Sequence, residues 1–166
     1  MTKIVFTASD TLFGKLIRWF TRSQVSHAFI EFTSNRWGGQ WVVESSLTGV
    51  RIVPAVRARH NIVCEYECKF DTAEAFKKVG GIVAERYDFA GIFVFVWVKI
   101  LWRWARYKFK KPLNATKGQV CSEFVTRFLN ASPFQDPRFA DPELSSPSLI
   151  HLVCSENPEQ FRIIEA

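Results

Sequence analysis

The chain has 166 residues, 48% of them hydrophobic and 15% aromatic, which is enough for one domain with a sizeable core. Twenty-two Lys and Arg against sixteen Asp and Glu give a net charge of +6. No window has the low hydrophobicity of a disordered tail, and the opening residues lack the basic and apolar regions of a secretory leader. The expectation is a single domain over residues 1–166 in a reducing, cytoplasmic compartment, unless a phage or host lysis route delivers it elsewhere.

The first element is a short apolar strand, Lys3–Thr7. Ser9 or Asp10 then caps a helix ending near Ser23, with Leu12, Phe13, Leu16, Ile17 and Phe20 at helical spacing and Lys15, Arg18 and Arg22 on the other side. VSHAFIEF follows as a strand that sends Val25, His27, Phe29 and Glu31 one way. QWVVESS is a second strand, on which Glu44 interrupts an apolar run. VRIVP, ended by Pro54, is a third. His60–Phe70 joins this antiparallel meander, with Cys64, Tyr66 and Cys68 sharing a face with Ile62 and Phe70. Asp71 caps a helix running to about Glu85.

The next stretch, FAGIFVFVWVKILWRWARYKFKK, carries ten uncharged, largely apolar residues, Phe89–Val98, before Lys99. That is shorter than the ~18–20 needed to cross a bilayer. It reads as a central helix, or as an aromatic and basic surface over residues 89–111 that rests on an anionic membrane. Between Arg86 and Lys117 eight basic residues face one acid, Asp88, whereas after Gly118 three Arg face seven acids. The basic excess is therefore local. Nucleic acid is a weaker reading, since no recognised binding motif accompanies the run. Lys117–Asn130 reads as a helix with Cys121 in its first turn and a capping box at Thr116 and Gln119. Pro133–Pro147 reads as a long surface loop, Ser145 or Ser146 starts a short helix, and FRII is a closing edge strand.

Four cysteines, Cys64, Cys68, Cys121 and Cys154, form no CxxC pair, and His60 near Cys64 lacks a second ligand pair, so no metal and no cofactor is expected. Cys64 and Cys68 read as core thiols. Cys121 reads either as a small buried thiol on the helix's inner face or as a nucleophile, since unpaired backbone N–H groups and the helix dipole at a first turn favour thiolate. A thiolate nucleophile needs a base and a polar group that orients it. Of the three histidines, His60 lies in a charged turn and His151 in a short helix. His27 opens an apolar strand, and a buried histidine there wants a partner. Glu44, on the neighbouring strand of a hairpin, is the candidate.

The order SHAFIEF, VVESSLTGVRIVP, ERYDFAGIF, QVCSEFV and LSSPSLIHLV resembles the circularly permuted papain-like cysteine hydrolases of the NlpC clan, the YiiX/YebB type, over about residues 4–164. The resemblance implies Cys121 as nucleophile, His27 as base and Glu44 as the orienting residue, with Tyr87 lining a substrate pocket. It also implies an α+β permuted papain-like fold, in which an antiparallel barrel-like sheet packs against helices. The tryptophan-rich basic run Val94–Lys111 and the missing leader depart from the family pattern.

The function expected is a peptidase or amidase that cleaves peptide or cell-wall-type amides through a thioester. One alternative is lipid acyl chemistry (acyltransferase, phospholipase or thioesterase) of the lecithin:retinol acyltransferase-like type. Another is an inactive binding module on the same fold. Neither oligomeric state nor acyl acceptor follows from the residues.

Overall fold

The computed structural model describes residues 1–46, 49–82 and 121–164. Tyr87, the basic aromatic stretch 89–111 and the capping box at Thr116 and Gln119 lie outside the described residues. The elements run β1 (Thr2–Thr7), α1 (Leu12–Thr21), β2 (His27–Thr33), β3 (Gln40–Ser46), β4 (Gly49–Pro54) and α2 (Ala55–Ala58). They continue with β5 (Ile62–Cys68), α3 (Ala73–Val79), α4 (Cys121–Ala131), α5 (Pro147–Glu156) and β6 (Phe161–Ile164). The chain is therefore α+β, with six antiparallel strands in the order β4-β3-β2-β1-β5-β6.

Two expectations about the sheet need correction. Among the described residues it is open, with β4 and β6 as its edges, and does not close into a barrel. The strand at 62–68 does not extend the meander beyond β4. It crosses by way of α2 to the far side and pairs with β1, Lys3 opposite Glu67 and Phe6 opposite Cys64. Thr7 then pairs with Ile62 rather than Val63, and this bulge reverses the alternation. Cys64, Tyr66 and Cys68 accordingly pack in the main core, whereas Ile62 packs on the opposite face.

The two faces of the sheet have different fillings. Ile4, Phe6, Ala28, Ile30, Val43 and Tyr66 meet Phe124, Val125, Phe128 and Leu129 of α4 and Ile150 and Val153 of α5 in the larger core. Burying each such phenylalanine contributes about 1.5–3 kcal/mol, and edge-to-face pairs such as Phe76–Phe128, 4.9 Å between centroids, add to it. Val5, Phe29 and Val42 pack beneath Ala55 of α2 on the other face. There Lys3 lies 2.9 Å from Glu65 and 3.6 Å from Glu31, and Arg59 reaches Glu31 at 2.6 Å and also pairs with Glu65. Lys3 and Arg59 hold the Glu65 carboxyl below its ordinary range against the opposing effect of burial.

Local boundaries moved for identifiable reasons. Helix α1 is capped by Thr11, whose hydroxyl accepts from Gly14 N–H at 3.1 Å, while Ser9 supports that hydroxyl at 2.9 Å. Helix α3 ends at Val79 and tightens into a 3₁₀ turn at Gly80–Ile82. The stretch Pro133–Pro147 is more than a surface loop. It folds into 3₁₀ turns at Pro137–Phe139 and Pro142–Leu144, buries Phe134 and Phe139, and is tied to α4 by Asn130 Nδ2 donating to Phe139 O at 2.7 Å. The closing strand FRII does lie at a sheet edge. No described helix is long and apolar enough to cross a membrane.

Candidate active site

Helix α4 carries Cys121 in its first turn because its apolar residues leave it one way to pack. Phe124, Val125, Phe128 and Leu129 are all buried, and the helix lies across β2 and β3. Glu123 and Arg127 pair at 2.6 Å one turn apart, and Ser122 Oγ donates to Ser145 O at 2.9 Å, which fixes the first turn against the segment before α5. Cys121 is 3% exposed.

Strand β2 carries the candidate base. His27 is its first residue, opposite Thr7 of β1, and its ring stands 6.1 Å from the Phe29 ring on the same face. The β2–β3 ladder begins at Ile30 opposite Val43; carrying that register one residue on puts Glu44 opposite Phe29 and diagonal to His27. His27 Nε2 lies 3.5 Å from Glu44 Oε2. The imidazole also makes a side-chain hydrogen bond with Cys121. The Cys121 sulfur also accepts from the backbone N–H groups of Ala28 and Ser122. The three candidates named from sequence, Cys121, His27 and Glu44, thus meet in one row.

Electrostatics follow from that row. Burial opposes charge on the Cys121 thiol, but the adjacent imidazolium, its hydrogen bond and the two backbone N–H donors outweigh it and bring the thiol below its ordinary 9.0. Burial likewise opposes the imidazolium of His27. The charges and hydrogen bonds of Cys121 and Glu44 prevail and raise His27 from 6.5 to about 10. The two shifts act together and favour a shared proton resting on the imidazole rather than on the thiol.

Sequence reasoning missed Arg51. On β4 it stands directly opposite Glu44, and its Nε and Nη2 donate to Glu44 Oε1 at 2.9 and 2.7 Å. One carboxylate oxygen is thus held by Arg51 and the other faces His27. Burial raises the Glu44 carboxyl, and the hydrogen bonds from His27 and Arg51 pull it below its ordinary value. The available signal was register: the antiparallel pairing of β3 with β4 brings residues 44 and 51 face to face. Gly49 makes the return possible, with φ of 105°, a region that side chains disfavour.

The remaining thiols differ. Burial pushes Cys64 up to about 11 and Cys68 up to about 12, and Cys154 well above its ordinary value. His151 reaches the Tyr66 hydroxyl at 3.3 Å and packs edge-on to Phe6. Among the described residues no group of three or more His, Cys, Asp or Glu side chains is placed to hold a metal ion. Tyr87, the expected pocket residue, is outside the described residues.

No protein-family model matches the chain, and no curated protein matches it.

Proposed function

We propose that the protein is a cysteine-dependent acyl hydrolase, a peptidase or amidase of permuted papain-like fold, working through a thioester. The observation that carries the reading is the convergence of His27 on Cys121, with Glu44 3.5 Å behind the imidazole. In the proposed reaction the Cys121 thiolate attacks the carbonyl carbon and the C–N bond breaks as His27 gives its proton to the departing amine. The neutral imidazole then takes a proton from water, which attacks the thioester and releases the acid, restoring the thiolate and imidazolium. Glu44 holds the ring orientation throughout, anchored in turn by Arg51.

The thioester route serves esters as well as amides. Acyl chemistry on lipid esters is the second reading, favoured by the outward apolar side chains Leu12, Leu16 and Trp19 of α1. Parallel assays on a peptide amide series and on short-chain glycerolipid esters separate the two by which acyl-enzyme accumulates. The third reading, an idle binding module, is tested by a thiol-directed probe on the native chain at pH 7. Cys121 should label faster than Cys64, Cys68 or Cys154, and His27→Ala should remove that advantage. Equal labelling of all four cysteines would refute the enzyme reading.

A further inference from the structure

Helix α1 turns three of its apolar side chains outward. Leu12, Leu16 and Trp19 are 86%, 42% and 74% exposed, although they recur at the spacing that normally faces a core. At 100° per residue they fall within a sector of about 60°. Gly14 and Thr21 lie on the opposite side, and Gly14 is buried against Ser9. A Cβ at Gly14 would stand 2.5 Å from Ser9 O, so only glycine lets the segment before the helix fold back against this side. Thr11 caps its start, and Arg22, with φ of 51°, accepts the left-handed turn that ends it. Val25 and His27 follow within a few residues, so the helix is fastened next to the strand that carries the candidate base.

The charge around the stripe is of one sign. Lys15 and Arg22 are exposed and lie along one flank, and LFGKLIRWFT contains no acid. Asp10, just before the helix, is held by Arg18 at 3.9 Å and Asn61 at 3.2 Å. A second copy of the chain docked through this face would bring Lys15 and Arg22 against their own counterparts. An anionic lipid surface complements them, takes up the leucines, and places a tryptophan at headgroup depth where the residue is favoured.

We propose that α1 is an interfacial helix that seats the protein on an anionic membrane surface through Leu12, Leu16 and Trp19, with Lys15 and Arg22 at the headgroups. The inference goes beyond the catalytic reading and does not depend on it: Cys121→Ser should bind vesicles as the parent chain does.

The test is flotation of the full chain with phosphatidylcholine vesicles, with and without about 30% phosphatidylglycerol. Partitioning should be at least about tenfold stronger on the anionic vesicles and should fall at least about tenfold in Leu16→Glu/Trp19→Glu. Lys15→Glu should lose about fivefold on anionic vesicles alone. These side chains are exposed, so circular dichroism melts should match the parent. If the double variant misfolds, Leu12→Ser and Trp19→Ser supply the same reading, each with a loss of about threefold. The proposal is overturned if the parent binds neither vesicle, or if the apolar variants bind as the parent does, which would put the lipid contact elsewhere in the chain. It is equally overturned if the parent is a dimer that the double variant converts to a monomer without any vesicle binding.

Discussion

Burial acts on both His27 and His151, yet their imidazoles are shifted in opposite directions. Around His27 the Cys121 sulfur, the Glu44 carboxylate and the N–H groups of Ala28 and Ser122 are all aimed at a charge pair, and the imidazole rises to about 10. Around His151 the neighbours are the Tyr66 hydroxyl and the Phe6 ring, neither charged. Burial alone lowers the imidazole below 6.5. Tyr66 is itself pushed up to about 12, chiefly by burial. Desolvation by itself disfavours the charged forms of thiols and imidazoles; a fixed partner of opposite charge reverses that preference at the same depth of burial.

That contrast can be broken in graded ways. Replacing Cys121 by Ser should remove hydrolysis and fast thiol labelling together, whereas Cys154→Ser should leave both intact, as read by mass spectrometry of the labelled chain. His27→Ala should lower the rate of acyl-enzyme formation by about 10²–10⁴-fold at pH 7, because the thiol then meets burial with no imidazolium beside it. His151→Phe should leave that rate unchanged. Glu44→Gln keeps the shape but not the charge, and should cost about 10²-fold in kcat by freeing the imidazole to take the unproductive tautomer. Arg51→Met should cost less, about three- to tenfold, since the Arg51 side chain is 49% exposed and its pairing with Glu44 is partly screened by water. A kcat loss there without a change in KM would mark it as a positioning residue.

The pH dependence sharpens the same comparison. Labelling of Cys121 should rise from an acid limb set by its lowered thiol and stay level up to about 10, where His27 loses its proton. In stability the two histidines act in opposite senses. His27 binds its proton more tightly folded than unfolded, so its contribution is complete below 6.5 and disappears as pH rises toward about 10. His151 binds its proton less tightly folded, so its contribution is present above 6.5 and is lost as pH falls below that value. Thermal melts of His151→Phe and the parent should therefore converge above pH 7 and separate in acid, the parent falling further.

Much of the site was legible because chemistry restricts the choices. Only three histidines exist, and His27 alone opens an apolar strand. Cys121 alone stands in the first turn of a helix, and Glu44 alone charges the run WVVESS. Period-two and helical spacing gave most element positions, as they do when one side of each element is buried. Arg51 was not visible in the same way, because an arginine on an alternating strand is an ordinary surface residue until the hairpin register sets it opposite Glu44.

By itself the sequence determined the positions of most strands and helices, which follow from local spacing, and the family resemblance carried the α+β class and the three candidate residues, Cys121, His27 and Glu44. Only the tertiary structure decided that the sheet stays open, that β5 crosses to β1, and that Ile62 leaves the face of Cys64. It also decided that α1 turns its leucines and Trp19 outward. The sheet outcomes rest on a strand pairing between distant segments and a one-residue bulge, whose partners lie too far apart in the chain for any periodicity to announce.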